Sequence, residues 1–351
     1  MKSTVSRSSL LFITDPWDTL DHPRDTSLRL IQAAVALGIP TTWCDVKSIR
    51  LEGDSILLDA ATVTGVGKGR GPGDFKLDAA RACSPFAFNR LIYRVDPPVD
   101  LAYLQPVQML ALALKQAPPG RAKKVELVNS AEALFFANEK LEPLLLGKLM
   151  PPSCVSSQIS ALEKFGRAEG KVVLKPLHEA QSHGVELLDF GNVSGGSKAL
   201  GALRETLKKA TRDQSLPVLL QRYLPGIHQG EQRLWFLDGK LLAHARKRPK
   251  SGEFKIDMDQ GGTLVASTLS AAEKKAAPRI ARALKARGVR LAAVDLIDGF
   301  VTDYNITSPG LISQMETVTG RDLATPIVRS LAATSSKPIS SKPKSRRLGK
   351  R

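Results

Sequence analysis

The chain has 351 residues, of which 42% are hydrophobic and 24% charged, a composition typical of a globular protein with a buried core. No run of apolar residues is long enough for a transmembrane helix, and the three cysteines are widely spaced without a CxxC pair, so we expect a cytoplasmic protein without disulfides. The length predicts two or three structural units.

The net charge of +17 is unevenly distributed. Residues 335–351 carry seven basic side chains and no acid, so the rest of the chain carries +10. The tail has almost no apolar content, which predicts a disordered extension. Composition favours a solvated tail over one that binds nucleic acid or another anionic partner. The remaining charge suits anionic substrates as well as it suits nucleic acid.

The first third of the chain alternates predicted strands with predicted helices. Strands are predicted at residues 8–15, TTWCDV, NRLIYRV and VELVN, and helices at about 27–37 and 102–115. This alternation predicts a parallel α/β unit. Because such sheets bind ligands at the carboxyl ends of their strands, Asp15, Arg94 and Asp96 are candidate ligand contacts, with turn and ion-pair positions as the alternative.

Two lysines stand out in the middle of the chain. Asn129 followed by Glu132 predicts a capped helix that runs to about Leu145 and carries Lys140 near its last turn. Lys175 ends an apolar strand of a predicted hairpin at residues 171–188. An anionic ligand would satisfy its charge, and a side chain that reaches solvent at the sheet edge is the alternative.

The segment EQRLWFLDGKLLAHARKRP is predicted as a hairpin with Asp238-Gly239 as its turn. Its first strand places Glu231 and Arg233 on one face. A basic cluster that includes Lys247 and Lys255 follows. This cluster is either a solvated strand end or a phosphate-binding site.

The segment VDLIDGFVTDYNITSPG carries three oxygen donors, Asp295, Asp303 and Asn305, on two predicted strands. A two-residue turn at Asp298-Gly299 would place Asp303 on the opposite face from Asp295. A three-residue turn with a bulge would bring all three donors to one face. Two carboxylates and an amide without His or Cys suit Mg²⁺, and two surface acids are the alternative.

The sequence resembles the bacterial glutathione synthetases of the ATP-grasp superfamily. The resemblance runs from about residue 8 to 333 and depends on RVDPPVD (94–100), VNS…NEKL (128–141), VVLKPL (172–177), QRYLPGIHQGEQR (221–233) and DLI…VTDYNITSP (295–309). It implies an α/β fold: an N-terminal parallel α/β (pre-ATP-grasp) domain at 1–128 and a two-lobed α+β ATP-grasp domain at 129–334. The lid lobe would span about 150–218 and the C-terminal lobe about 219–334.

The resemblance also implies an ATP- and Mg²⁺-dependent ligase that activates a carboxylate as an acylphosphate and joins it to an amine. The reaction needs positioned positive charge and a water-excluding lid more than covalent catalysis. The implied roles are ATP phosphate contacts for Lys140 and Lys175; adenine and ribose contacts for Gln221, Tyr223, Leu224 and Glu231; catalytic contacts for Arg233 and Lys247; substrate contacts for Arg94, Asp96 and Ser308; and magnesium ligands for Asp295, Asp303 and Asn305.

The sequence departs from the family pattern at several of these places. The loop after KPL has one glycine, Gly184, where the family has a glycine-rich phosphate cover. Lys247 and Lys255 replace arginines, Asp257 replaces an asparagine, and Asp303 replaces a glutamate. The segment GLISQ after Pro309 differs from the family's substrate loop. The metal and lysine positions match while the lid and acceptor positions differ, which indicates a ligase with an altered substrate.

Two other functions remain open from the sequence. One is a ligase that acts on a different peptide or on a protein C-terminus. The other is a non-catalytic nucleotide-binding regulator whose basic tail binds an anionic partner. We expect small-molecule or peptide substrates, no membrane, and a homo-oligomer.

Overall fold

The computed structural model describes residues 9–69, 71–116, 125–180, 182–191, 193 and 198–333. The predicted basic tail at 335–351 lies outside these residues. Three β-sheets follow one another along the described part of the chain. Within that part, no helix is both long and apolar enough to cross a membrane.

The first sheet has eight strands, and its central strands are parallel. They are β1 (Leu10–Thr14), β2 (Thr41–Asp45), β3 (Arg50–Glu52), β4 (Ser55–Val66), β5 (Phe75–Leu77), β6 (Arg81–Cys83), β7 (Arg90–Arg94) and β8 (Glu126–Val128). The order β2-β1-β7-β8 is parallel, which confirms the predicted α/β unit, and β1 is buried along its whole length. Strands β3 to β6 form an antiparallel extension that the sequence analysis did not identify.

Helices α1 (Thr26–Ala36) and α2 (Leu101–Gln116) connect strands of this sheet. The Asp25 carboxylate caps α1 by accepting from the Leu28 N–H at 2.9 Å. The buried face of α1 contributes Leu28, Leu30 and Ile31 to a core that also contains Trp235 from the third sheet. The first and third sheets therefore share one continuous core.

The second sheet is antiparallel and has the order β11-β10-β12-β9. Its strands are β9 (Ser153–Ser156), β10 (Lys171–Pro176), β11 (Glu186–Asp189) and β12 (Val218–Arg222), with the helices α3 (Ala131–Phe136) before it, α4 (Ile159–Glu169) and α5 (Lys198–Ala210). The β10–β11 pairing confirms the hairpin predicted at residues 171–188. A separate small core lies between this sheet and its helices.

The third sheet, also antiparallel, carries most of the candidate site residues. Its strands are β13 (Glu231–Leu237), β14 (Lys240–Arg248), β15 (Thr263–Val265), β16 (Leu291–Ile297) and β17 (Phe300–Asn305), in the order β15-β14-β13-β16-β17. The remaining helices are α6 (Ala271–Ala286), α7 (Ile312–Thr319) and α8 (Ala324–Ala332). The predicted Asp238-Gly239 turn is confirmed, since Leu237 pairs with Lys240.

The helix predicted from residue 129 to about Leu145 is wrong in both its cap and its length. Ser130, rather than Asn129, caps α3, and the helix ends at Phe136. The side-chain amide of Asn129 instead binds the third sheet: Nδ2 donates to the Leu291 and Ile306 carbonyls, and Oδ1 accepts from the Arg290 and Leu291 N–H groups. Lys140 therefore lies in an irregular segment after the helix.

Two helical glycines of the second sheet's layer provide a matched stability test. A Cβ at Gly166 would lie 2.4 Å from the Phe190 ring, whereas one at Gly201 would meet no atom within 4 Å. We expect Gly201→Ala to stabilise the protein by roughly 0.5–1 kcal/mol. We expect Gly166→Ala to destabilise it by about 1–2 kcal/mol, because overpacking outweighs the gain in helix propensity. Urea unfolding measures both, and equal stabilisation by the two substitutions would contradict the packing at Phe190.

Candidate active site

A cleft of about 580 Å³ lies where the three sheets meet. The first sheet contributes residues at the end of β7, the second contributes β10, β12 and the loop after β10, and the third contributes β13, β14, β16 and β17. All fourteen residues predicted to form the site line this cleft: Arg94, Asp96, Lys140, Lys175, Gln221, Tyr223, Leu224, Glu231, Arg233, Lys247, Asp295, Asp303, Asn305 and Ser308.

For Tyr223 and Leu224, the predicted contacts with ATP are made by the backbone. All fourteen predicted positions therefore lie together, while their roles remain predictions.

The three predicted magnesium ligands, Asp295, Asp303 and Asn305, lie on one face as predicted, but the backbone geometry that puts them there differs from the expected one. The turn has two residues, Asp298 and Gly299, both with positive φ, and Ile297 pairs with Phe300. The expectation that only a three-residue turn could bring the donors to one face is therefore wrong. A β-bulge at Thr302 supplies the extra residue instead, so that Asp295 pairs with Asp303 and Ala293 with Asn305. All three oxygen donors consequently lie toward the cleft.

The Asp295 carboxylate is buried in a network of cations. Arg233 donates to both of its oxygens, from Nε at 2.8 Å and from Nη2 at 2.6 Å, and Lys247 Nζ lies 2.8 Å from Oδ2. Lys247 also pairs with Glu231 at 2.8 Å. Burial alone would raise the pKa of Asp295, but the charges of Arg233 and Lys247 outweigh burial and hold that pKa well below its usual value. The network keeps two carboxylates and two cations fixed at the cleft wall.

Lys140 and Lys175 lie beside Asp303. Lys140 Nζ donates to the Glu179 carbonyl, and Lys175 Nζ donates to the Thr302 carbonyl at 2.8 Å and to Gln221 Oε1 at 3.0 Å. Desolvation lowers the pKa of Lys175, and the charge of Asp303 opposes that change. Because both ammonium groups are held by neutral carbonyl oxygens, their charges remain available to an anionic ligand such as a phosphate.

The segment predicted to read adenine leaves one donor and one acceptor open. The Tyr223 N–H donates to the Lys171 carbonyl, and the Leu224 carbonyl accepts from the Ile227 N–H. Among the described residues, the Tyr223 carbonyl and the Leu224 N–H have no hydrogen-bond partner. An adjacent acceptor and donor on one backbone segment match the amino group and ring nitrogen of a purine edge.

The opposite end of the cleft is built from the first sheet and the loop after β17. Arg94 is buried and donates to Ser27 Oγ at 2.9 Å and to the Pro309 carbonyl at 3.0 Å. It therefore joins helix α1 to the loop after β17. Asp96 is exposed to the cleft and accepts a hydrogen bond from Ser308. The predicted substrate residues therefore lie together in the cleft. Part of the hydrogen-bonding capacity of Arg94 is already used by Ser27 and Pro309.

Two residues that organise the site were not identified from the sequence. Thr302 occupies the bulge, where its carbonyl binds Lys175 and its hydroxyl donates to Glu231 Oε1 at 2.5 Å. Glu139 accepts from the Ile306 and Thr307 N–H groups at 2.6 and 2.9 Å and so fixes the start of the loop after β17. Glu139 belongs to the NEKL motif at residues 138–141, so the sequence could have identified it as a site residue. No residue pattern predicts a bulge at Thr302.

The donor set fits Mg²⁺ bound together with a phosphate ligand. Asp303 Oδ1 is buried, and the described residues give it no hydrogen-bond partner. Burial raises the pKa of Asp303, and the charges of Lys140 and Lys175 oppose this rise. No three His, Cys, Asp or Glu side chains of the described residues form a ready cation cage. Mg²⁺ does not require one, since it commonly takes one or two carboxylates and obtains its other ligands from phosphates and water.

Two family models match the chain over most of its length. The model for the prokaryotic glutathione synthetase N-terminal domain matches residues 9–134, and the model for the prokaryotic glutathione synthetase ATP-grasp domain matches residues 139–320. A glutathione synthetase of Prochlorococcus marinus is 31% identical over 92% of this chain and 97% of its own length. One of Parasynechococcus marenigrum is 32% identical over 90% of this chain and 95% of its own length.

Solved structures of ATP-grasp ligases share the fold at low sequence identity. The D-cycloserine synthetase DcsG superposes with a TM-score of 0.61 at 16% identity, over 92% of this chain and 99% of its own. The ligase PsnB, in a complex with a precursor variant, Mg and ADP, superposes with a TM-score of 0.58 at 15% identity, over 93% of this chain and 98% of its own. These likenesses confirm the predicted fold class.

Proposed function

The chain belongs to the prokaryotic glutathione synthetase family of ATP-grasp ligases, and we propose that its ATP-dependent, amide-forming activity joins γ-glutamylcysteine to glycine. The observation that carries this proposal is the convergence of fourteen family-matched positions on one cleft. The two lysines and the open hinge pair lie on one side of that cleft, and the Arg94 and Asp96 end lies on the other.

Different residues of the cleft would bind ATP and stabilise the reacting groups. The open Tyr223 and Leu224 backbone groups bind the adenine edge of ATP, while Lys140 and Lys175 bind its phosphates. Arg233 and Lys247, both fixed by Asp295, stabilise the charge that develops as the substrate carboxylate attacks the terminal phosphate. The acylphosphate then reacts with the amine, which forms the amide and releases phosphate.

Asp295, Asp303 and Asn305 would hold Mg²⁺ against the ATP phosphates. Bound there, the ion supplies charge neutralisation on the phosphoryl oxygens. Asp303 contributes its unpartnered oxygen, and Asn305 is oriented by donating to the Ala293 carbonyl at 3.1 Å and to Asp295 at 3.3 Å. Asp295 also binds Arg233 and Lys247, so a metal ion held there would share the Asp295 oxygens with these two cations.

One observation favours a related substrate pair as the second candidate. Leu311, in the loop that differs from the family pattern, has a left-handed backbone (φ 76°) and lines the cleft. That conformation costs a non-glycine residue about 1–2 kcal/mol, so an apolar side chain is held at the substrate end despite local strain. An amine with its own apolar side chain would gain a contact there that glycine cannot make.

Substrate-dependent phosphate release separates these candidates. We expect the purified protein to release phosphate from ATP and Mg²⁺ when both γ-glutamylcysteine and glycine are present, with formation of the tripeptide detected by mass spectrometry. The assay is repeated with larger apolar amino acids in place of glycine. Turnover with a larger amine but not with glycine would refute the glycine assignment. Intact ATP binding without turnover on any pair would favour the non-catalytic regulator.

A further inference from the structure

At the substrate end of the cleft, formed by Arg94, Asp96 and Ser308, no cation of the described residues binds the Asp96 carboxylate directly. Asp96 follows β7, where the central strands of the first sheet present their carboxyl ends, and its side chain is exposed to the cleft. Its backbone N–H donates to Asp15 Oδ2 at 2.9 Å, which fixes the chain at this point. The Ser308 hydroxyl, from the loop after β17, donates to its carboxylate. Asp96 is therefore held from both sides of the cleft.

Most of the other described acids that line the cleft are committed to cations or to backbone N–H groups. Asp295 binds Arg233, Glu231 binds Lys247, and Asp259 binds Arg24. Glu139, Asp25 and Asp257 accept from backbone N–H groups. Of the acids without such partners, Asp303 and Glu179 lie beside Lys140, at the phosphate end. Among the described residues, Asp96 is the acid that remains at the substrate end of the cleft.

Amide formation creates a specific need for such a group. An amino acid enters as an ammonium ion, which has no lone pair and cannot attack the acylphosphate. We propose that Asp96 is the general base of the second half-reaction, an inference that rests on the ligase function proposed above. Its carboxylate takes one proton from the ammonium group. The freed lone pair then attacks the acyl carbon, and the C–O bond to phosphate breaks. Phosphate leaves with the bonding electrons and takes up the second proton that the nitrogen loses as the amide forms, so it departs as hydrogen phosphate.

The electrostatic surroundings suit Asp96 to this task. Desolvation raises its pKa to about 6, even though the side chain is exposed to the cleft, while the Ser308 hydrogen bond and the Arg94 charge oppose the rise. Asp25, at the start of α1, and Asp15, after β1, add to it. A carboxyl with a raised pKa is a stronger base than an ordinary one and is still ionised at neutral pH. As the pH falls through about 6, the basic form and the rate of amide formation are both lost.

The test compares two nucleophiles in Asp96→Asn. The substitution keeps the shape and an acceptor for Ser308 but removes the basic carboxylate. We expect amide formation with the amino acid to fall by about 100-fold or more. Hydroxylamine is largely unprotonated at neutral pH and needs no base, so we expect hydroxamate formation from the same acylphosphate to be retained. In the wild-type protein, the rate with the amino acid should decline on the acid side of pH 6, and the variant should lack this limb.

The outcomes distinguish a general-base role for Asp96 from a role in substrate binding or no role. Equal loss with the amino acid and with hydroxylamine would overturn the proposal, because it would assign Asp96 to substrate binding. An unchanged rate and pH profile in the variant would overturn it as well. Asp54→Asn, at an exposed hairpin tip, is the matched control for removal of a carboxylate. A wild-type protein that yields neither amide nor hydroxamate would instead contradict the ligase function, so the two failures are distinguishable.

Discussion

Asp295→Asn is expected to abolish Mg²⁺-dependent turnover and to weaken the fold. Asp295 is 2% exposed and its side chain binds Arg233 and Lys247, and an amide cannot neutralise either cation. Breaking a buried ion pair by removing one partner typically costs 3–5 kcal/mol. Since Lys247 keeps Glu231 and Asn can still accept a hydrogen bond, we expect a loss of about 3 kcal/mol in the free energy of unfolding.

The loss of turnover has a separate cause, the loss of a metal ligand. Titration of the activity with Mg²⁺ measures it. The variant is assayed at a temperature where unfolding measurements show it folded, with ATP and both substrates saturating. Asp298→Asn makes the same chemical change in the exposed turn of the same hairpin, where asparagine is well suited to the positive φ of 52°. This control should keep both stability and activity. An Asp295→Asn protein with the wild-type Mg²⁺ dependence would refute the assignment of Asp295 as a metal ligand.

Lys175→Met is expected to separate activity from stability. The ammonium group of Lys175 binds two neutral oxygens, and desolvation lowers its pKa, so the charge is costly to the unliganded fold. Methionine fills a similar volume without that charge, and we expect little change in the free energy of unfolding. Loss of one preorganised donor to a reacting phosphate typically costs 100- to 1,000-fold in rate, so we expect kcat/KM for ATP to fall by about that factor.

Lys171→Met is the matched control, since Lys171 begins the same strand with its side chain in solvent. Its ion pair with Asp189 is exposed, and exposed pairs contribute little to stability. We expect this control to leave kcat/KM for ATP unchanged. Equal ATP kinetics for Lys175→Met and the wild-type protein would contradict a phosphate-binding role for Lys175.

The sequence predicted the fold class and the set of cleft residues better than it predicted local backbone geometry. Uninterrupted apolar runs such as residues 10–14 identify buried parallel strands without further information. The donors Asp295, Asp303 and Asn305 were assigned to one face, but by a three-residue turn. The structure instead has a two-residue turn and a bulge, which pair Asp295 with Asp303 and still bring the three donors to one face. Side-chain alternation alone cannot separate these two solutions.

The helix cap was misplaced for a similar reason. Asn129 and Ser130 are both good capping residues, and local sequence does not choose between them. The choice depends on Leu291 and Ile306, more than 160 residues away, whose carbonyls bind the Asn129 amide. The cation network around Asp295 was likewise invisible to sequence, because β13, β14 and β16 become neighbours only in the folded sheet.

Transfer of oxygen from substrate to phosphate tests the ligase mechanism most directly. The γ-glutamylcysteine carboxylate that reacts is labelled with a heavy oxygen isotope, and the phosphate released with ATP, Mg²⁺ and glycine is analysed by mass spectrometry. Attack of that carboxylate on ATP followed by displacement by the amine predicts one heavy oxygen in each released phosphate. Unlabelled phosphate would mean that water, rather than the substrate carboxylate, attacks ATP, and would contradict the acylphosphate mechanism.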